Sequence, residues 1–128
     1  MEKEEEKKQE KAIRNVPLKE FEINGLTIIF FNNDNFSPKV IGPFLRNLVS
    51  GFSDVIAFAM SENSILISVK CSSNKKIDAS HILREIFTRF PGKGGGRADF
   101  AQGSFSALSK EQKEKVFEFA KILIAQKK

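Results

Sequence analysis

The segment "FPGKGGGRADFAQGSF", residues 90–105, contains three consecutive glycines between Lys93 and Arg97. Each ordered glycine destabilises a chain by roughly 0.5–1 kcal/mol relative to alanine, so something must need a backbone without side chains. Two needs are common: positive φ angles that let a loop pack tightly, and close approach of a ligand to exposed N–H groups. The residues alone leave both explanations open.

The elements around the glycines exclude a nucleotide P-loop. That motif needs a strand before the glycines, a Gly-Lys-Ser/Thr ending and a helix after them. Here a predicted helix precedes the glycines, and its carboxyl end repels anions. A phosphate held at this predicted loop would therefore depend on Lys93, Arg97 and Arg89.

Two pairs of strands are predicted before the glycines. Asn24-Gly25 separates "LKEFEI" from "LTIIFF", and Asn-Gly between such runs is a strong hairpin signal. The segments "VIAFAM" and "SILISV" are joined by residues 61–63 and indicate a second pair.

Three helices are predicted in the globular part of the chain. The first begins at residues 37–38, with Pro43 as the alternative start because proline removes a helical hydrogen bond. Asp78 can cap the second helix. Ser109 and Gln112 form a capping box for the last helix, which continues to about residue 126.

The resulting element order is β-β-α-β-β-α-loop-(β)-α. Hairpins interspersed with helices favour the α/β class with a mixed β-sheet covered by helices over a doubly wound parallel sheet. Residues 1–16 are polar on all sides, which predicts a charged N-terminal helix serving as a tether. Residues 17–128 are then a single globular domain.

The net charge of +5 is concentrated around the glycines. Localised positive charge indicates a phosphate-rich partner, and a lysine-decorated solvated surface is the alternative. Residues 70–97 contain only two acids, Asp78 and Glu85, against seven bases: Lys70, Lys75, Lys76, Arg84, Arg89, Lys93 and Arg97.

The residue composition excludes most common types of catalytic site. Cys71 and His81 are the only residues of their types, so the chain cannot form a disulfide framework, a four-ligand zinc site or a Cys/His nucleophile pair. We expect His81 at the surface and Cys71 as an inert thiol. The first fifteen residues are too charged for a signal peptide, and no apolar run could span a membrane, so we expect a cytoplasmic protein.

The thirteen phenylalanines favour core packing, because most of them fall on apolar stripes. Phe100 and Phe105, beside the glycines, are the rings to consider for base stacking. Gln102 stands among small residues and is expected to be a buried side chain that fixes the loop by hydrogen bonds.

Residues 92–103, "GKGGGRADFAQG", closely resemble the Gly-Gly-Gly-Arg-Pro-Asp-Met-Ala-Gln-Gly motif near the end of alanyl-tRNA synthetase. That motif lies in its C-terminal domain, of the family associated with DHH phosphoesterases. The pattern is similar from residue 36 to the C-terminus, but only residues 92–103 are specific. Ala98 replaces the usual proline, and residues 103–105 replace a more glycine-rich ending. Arg97 stands where the phosphoesterase branch has a histidine, which weighs against phosphodiester hydrolysis.

The resemblance implies an RNA-binding module without chemistry of its own. In that family the domain docks on the elbow of alanine-specific tRNA, so that the aminoacylation and editing domains share one tRNA, and it can contribute to a homodimer. The parent ligase would use ATP, magnesium and zinc, whereas this fragment would use no cofactor and no metal. The residues expected to contact RNA are Lys75, Lys76, Arg89, Lys93, Gly94, Gly95, Gly96 and Arg97.

Two alternatives remain open at the level of sequence. One is the substrate-binding domain of a DHH-type phosphoesterase, which would need metal-binding aspartates in a separate domain. The other is an oligomerisation module that uses the N-terminal helix or an exposed sheet edge, and this role is compatible with RNA binding.

Overall fold

The structure is a computed structural model that describes residues 18–23, 25–32, 36, 38–61, 63–70, 77–106 and 109–126. The predicted tether and Cys71 lie outside these residues, and so do Lys75 and Lys76. The described elements are β1 Lys19–Ile23, β2 Leu26–Asn32, α1 Pro38–Val49, β3 Val55–Ser61, β4 Ser64–Lys70, α2 Ala79–Arg89, β5 Gly92–Gly96, β6 Phe100–Phe105 and α3 Lys110–Gln126.

The six strands form one sheet in the order β1-β2-β3-β4-β6-β5. β2 and β3 are parallel and every other neighbouring pair is antiparallel, so the predicted mixed sheet is confirmed. Both predicted hairpins are present: Ile23 pairs with Leu26 around Gly25, and Ser61 pairs with Ser64. Gly25 has a φ of 78°, the left-handed conformation that a two-residue hairpin turn requires.

Helix α1 connects the parallel strands β2 and β3, and it begins at Pro38 and continues through Pro43. The later start at Pro43 is therefore wrong. Pro43 lies on the exposed side of the helix, whereas Ile41 and Leu45 are completely buried on the other side. Packing of the apolar face holds the helix together despite the hydrogen bond that proline removes.

Helices cover both faces of the sheet. Successive residues of a strand point to opposite faces, so each central strand contributes alternate residues to two cores. On β2, Ile28 packs in the core beneath α2 and α3, and its neighbour Ile29 packs in the core beneath α1. Most of the phenylalanines contribute to these cores, as expected. The described part of the chain has no helix that is both long and apolar enough to cross a membrane.

The predicted caps of the two later helices are both confirmed. The carboxylate of Asp78 accepts hydrogen bonds from the backbone N–H groups of Ser80 and His81 at the start of α2. The hydroxyl of Ser80 also donates to Asp78 at 2.7 Å, and this bond is the largest cause that lowers the pKa of Asp78. At α3, Ser109 and Gln112 exchange hydrogen bonds of 3.0 and 3.2 Å as a capping box.

Candidate nucleic-acid interface

The glycine run is a strand at the edge of the sheet, so the prediction that it forms a loop is wrong. Residues 92–96 are β5, which in the described part of the chain pairs only with β6. None of its glycines has a positive φ, since Gly25 alone among the described glycines does. Glycine is poorly suited to strands, and its presence here needs another physical reason.

Close packing against β6 supplies that reason for every second position. A Cβ atom on Gly94 would lie 2.4 Å from the Cα of Gly103, and one on Gly96 would lie 2.4 Å from the carbonyl oxygen of Phe100. A Cβ on Gly92 would lie 2.6 Å from the ring of Phe87 on α2. These distances are far below van der Waals contact, so a side chain would force the strands or α2 apart.

Gly95 is different, because a Cβ atom built on it meets no described atom within 4 Å beyond its two neighbours in the chain. Gly95 lies opposite Gln102, which in turn lies opposite Leu66 on β4. Opposed residues of antiparallel strands share a face of the sheet, and Leu66 packs beneath α1. Gly95 therefore opens onto the α1 face of the sheet, where no described atom needs the space.

The outer edge of β5 presents backbone groups that β6 does not use. Two bonds continue the β5–β6 register, from Ser106 to the Pro91 carbonyl at 3.0 Å and from Arg97 to the Phe100 carbonyl at 2.8 Å. Because bonded pairs alternate along an antiparallel ladder, the even-numbered residues of β5 point their N–H and C=O groups outward. These residues are Gly92, Gly94 and Gly96.

Lys93 lies beside Gly95 on the α1 face and lines a cleft of about 330 Å³. The other lining residues are Ser64, Ile65, Leu66, Gln102, Gly103 and Ser104. Gln102 is exposed, so its expected role as a buried residue that fixes a loop is wrong. The reason is that α1 packs against β3 and β4, whereas Gln102 lies on β6, beyond the strands that the helix covers.

Arg97 follows β5 and lines a second cleft of about 510 Å³, on the same face of the sheet. Its side chain is 80% exposed, and its Nε atom lies 3.8 Å from the carboxylate of Asp99. An ion pair this exposed contributes little stability. The other lining residues are Arg46, Val49, Ser50, Ser68, Val69, Lys70, Asp99 and Phe100.

The structure separates Arg89 from the other predicted contacts. Its guanidinium carbon lies 4.8 Å from the ring centre of Phe119 on α3, on the face of the sheet that α2 and α3 cover. Lys93 and Arg97 share the α1 face but line different clefts. Lys75 and Lys76 lie outside the described residues.

The second cleft contains two basic residues that the sequence did not single out as contacts. Arg46 lies in the last turn of α1, and its guanidinium carbon is 4.5 Å from the ring centre of Phe100. Lys70 ends β4 and donates to the carbonyl of Ser50 at 3.0 Å. The one feature of the sequence that could have pointed to Arg46 is its place on the polar side of an amphipathic helix, and such a place does not by itself indicate a binding site.

The described residues offer no group of three His, Cys, Asp or Glu side chains that could hold a metal ion. They therefore provide no candidate ligand set for the zinc or magnesium that the resemblance implies for the parent enzyme. His81 is half exposed, as expected, with its Nε2 atom 3.8 Å from the carboxylate of Glu85. Of the two rings beside the glycines, Phe105 is buried and Phe100 borders the second cleft.

The fold and this edge define an α/β domain in which a glycine strand adjoins two clefts lined by basic residues. The chain belongs to the DHHA1 domain family, whose model matches residues 9–126. The resemblance to the C-terminal domain of alanyl-tRNA synthetase is thereby confirmed.

Curated relatives agree with this assignment. An alanine–tRNA ligase of Thermotoga maritima is 33% identical over 110 residues, which cover 81% of this chain and 13% of the relative. An alanine–tRNA ligase of Francisella tularensis subsp. novicida is 31% identical over 90 residues, which cover 67% of this chain and 10% of the relative. The chain thus spans about an eighth of the length of the first of these relatives.

Solved structures share the fold. The C-Ala domain from Aquifex aeolicus alanyl-tRNA synthetase matches with a TM-score of 0.59 at 23% identity, covering 84% of this chain and 98% of that domain. A DHH domain described as a member of the s1p family of ribosomal proteins matches with a TM-score of 0.70 at 16% identity. That match covers 98% of this chain and 31% of the other. At these identities the matches establish the fold alone.

Proposed function

We propose that this chain is the tRNA-binding C-terminal domain of an alanyl-tRNA synthetase and that the α1 side of the β5–β6 edge is its RNA interface. The observation that carries the proposal is Gly95. Packing does not require a glycine there, yet the position lacks a side chain on a face that also bears Lys93 and Gln102. A bare backbone on a cationic, open face suits close approach of a sugar-phosphate chain.

The interface would bind RNA mainly through its backbone. Lys93 and Arg97 lie at opposite ends of the glycine strand and would contact phosphates. The outward N–H groups of Gly94 and Gly96 would donate to phosphate or 2′-hydroxyl oxygens between them. Recognition of this kind reads the shape of a folded RNA more than its sequence, which suits docking on a tRNA elbow.

In the parent enzyme this domain would hold one tRNA for two separate activities. Aminoacylation and editing, with their ATP, magnesium and zinc, would belong to other domains of a cytoplasmic synthetase. The fragment itself would contribute binding and no catalysis. Self-association through a sheet edge remains compatible with this role, and sedimentation at several protein concentrations would measure it.

The test is a titration of fluorescently labelled alanine tRNA and of an unstructured RNA of equal length. The variant is the double substitution Lys93→Ala, Arg97→Ala. Its matched control is Arg84→Ala, Lys115→Ala, which removes one arginine and one lysine from exposed positions on α2 and α3. Because α2 and α3 cover the other face of the sheet, the control removes the same charge away from the proposed interface.

Wild-type affinity should fall with salt, by about 0.7–0.9 log units per log unit of salt for each phosphate contact. The slope of log affinity against log salt should become shallower in the Lys93, Arg97 variant by nearly the amount expected for two phosphate contacts. The control should keep the wild-type slope. Equal affinity for the two RNAs would refute elbow recognition. Equal loss in both double variants would show that only net charge matters and would place the interface elsewhere.

A further inference from the structure

The second cleft combines features that the first cleft lacks. Among its described lining residues, Arg46, Lys70 and Arg97 bring three positive charges, against the one carboxylate of Asp99. Phe100 adds an aromatic ring. Among the described residues, the first cleft has Lys93 as its one basic lining residue and no aromatic ring. The volume of the second cleft, about 510 Å³, lies within the roughly 300–1,000 Å³ typical of small-molecule sites.

The cations reach this cleft from three separate parts of the chain. Arg46 comes from the last turn of α1, Lys70 from the end of β4, and Arg97 from the turn between β5 and β6. The bond from Lys70 to the carbonyl of Ser50 uses one of the three donors of its ammonium group. This bond also places a positive charge against the carboxyl end of α1, which reduces the repulsion of that end for an anion.

Arg46 lies against the ring of Phe100. Its guanidinium lies over the Phe100 ring at 4.5 Å, within the range of a cation–π contact. The ring packs in turn against the core beneath α1. Arg46 is an exposed residue, so solvent and ligands can reach it.

We infer that this cleft binds one unpaired nucleotide of the RNA, with its base stacked on the guanidinium of Arg46 and its phosphate between Lys70 and Arg97. Unpaired RNA bases stack on arginine planes as well as on aromatic rings. The Phe100 ring restricts the guanidinium before the base arrives, which reduces the ordering cost of binding. The weak, exposed pair of Arg97 with Asp99 leaves Arg97 able to turn to a phosphate. The inference rests on the proposed RNA-binding function.

The decisive variant is Arg46→Lys, which keeps the charge and removes the planar group. It is compared with Arg46→Ala and Phe100→Leu, and with Arg84→Lys as a matched control on α2. Each full-length protein is titrated with labelled alanine tRNA and with a blunt RNA duplex of similar mass at two salt concentrations. Thermal unfolding of each variant checks that the fold is retained.

We expect Arg46→Lys to weaken tRNA binding by about 5- to 150-fold, the usual range for loss of one stacked base, with an unchanged salt slope. Phe100→Leu should weaken it similarly because the guanidinium loses its support. Neither variant should change binding of the duplex, which has no unpaired base, and the Arg84 control should behave as wild type with both RNAs.

Two results would overturn the inference while leaving the proposed function intact. If Arg46→Lys binds tRNA as wild type does and Arg46→Ala binds weakly, Arg46 contacts a phosphate and no base is stacked. If all Arg46 and Phe100 variants bind as wild type, the cleft holds no nucleotide. Failure of the wild-type protein to bind either RNA would instead refute the proposed function, and the inference with it.

Discussion

Replacing Gly95 with alanine is expected to stabilise the domain and weaken RNA binding, whereas replacing Gly94 is expected to destabilise the domain. The two residues are neighbours in β5 and neither has a positive φ. They differ in what a new methyl group would meet. At Gly95 it meets no described atom within 4 Å beyond its chain neighbours, and at Gly94 it meets the Cα of Gly103 at 2.4 Å and the Gln102 carbonyl at 2.5 Å.

The sizes of the two effects follow from these contacts. Alanine at Gly95 should gain about 0.5–1 kcal/mol, because it restricts the unfolded chain without strain in the folded one. At Gly94 the same gain is outweighed by overpacking against backbone atoms, which costs about 2–3 kcal/mol, the upper part of the usual range, and leaves a net loss of about 1–2.5 kcal/mol. In a domain of this size 1 kcal/mol shifts the melting temperature by roughly 4 °C, so we expect a rise of about 2–4 °C for Gly95→Ala and a fall of about 4–10 °C for Gly94→Ala.

Thermal unfolding followed by circular dichroism measures both shifts, and titration with labelled alanine tRNA measures the functional effect. Gly95→Ala should lower tRNA affinity on the order of tenfold, the effect of one misplaced methyl group in a fitted site. A Gly95→Ala protein that is more stable and binds tRNA normally would refute the proposed approach of RNA to this position. A Gly94→Ala protein as stable as wild type would refute the packing explanation for the alternate glycines.

Three further predictions concern the helix caps and the packing of the domain. Asp78→Ala should cost about 1 kcal/mol at neutral pH by removing the α2 cap. Hydrogen bonds lower the pKa of Asp78 in the folded state, so the stabilisation that its carboxylate provides is present above its unfolded pKa of about 3.8 and is lost as pH falls through the folded value. The free energy of unfolding should therefore change less between pH 7 and pH 3 in Asp78→Asn than in wild type. Ser109→Ala should lower the free energy of unfolding by about 1 kcal/mol, measured by urea unfolding. A cost near zero would mean that the hydroxyl of Ser109 does not stabilise the start of α3. Gly103→Ala should cost about 1–3 kcal/mol because its methyl group would lie 2.8 Å from the ring of Phe87, and Phe87→Leu in the same protein should recover part of that loss.

The parts of the fold that depend on local chemistry could be predicted from the sequence. Asn24-Gly25 specified the first hairpin because its turn needs a positive φ, which Gly25 adopts. Asp78 and Ser109 marked helix starts because their side chains satisfy backbone N–H groups within three residues. Each of these signals is complete within a few residues, so no knowledge of the tertiary structure was needed.

The glycine strand could not be predicted in the same way. Strand signals depend on side chains that alternate between two environments, and "GKGGG" has almost no side chains to alternate. What makes it a strand is pairing with β6, whose register aligns Gly94 with Gly103. That pairing is a property of the folded sheet, so the local sequence indicated only a loop.

The second cleft was missed for a related reason. Arg46, Lys70 and Arg97 are separated by 24 and 27 positions in the sequence, and only the sheet order brings their elements to one wall. The sequence did locate the basic excess correctly between residues 70 and 97. It could not indicate that Arg89 packs on Phe119 on the opposite face while Arg46, outside that segment, joins the cleft.

A run of three glycines in a strand requires two separate causes. Neighbouring residues of a strand face opposite sides of the sheet, so a single constraint on one side can demand a glycine only at every second position. Packing against β6 and α2 accounts for Gly92, Gly94 and Gly96, and Lys93 shows that the other side accepts a long side chain. Gly95 completes the run on the side where packing leaves space, and a ligand that must approach the backbone there supplies the missing constraint. The sequence suggested two reasons for the glycines, tight packing and contact with a ligand, and each reason applies to one face of the same strand.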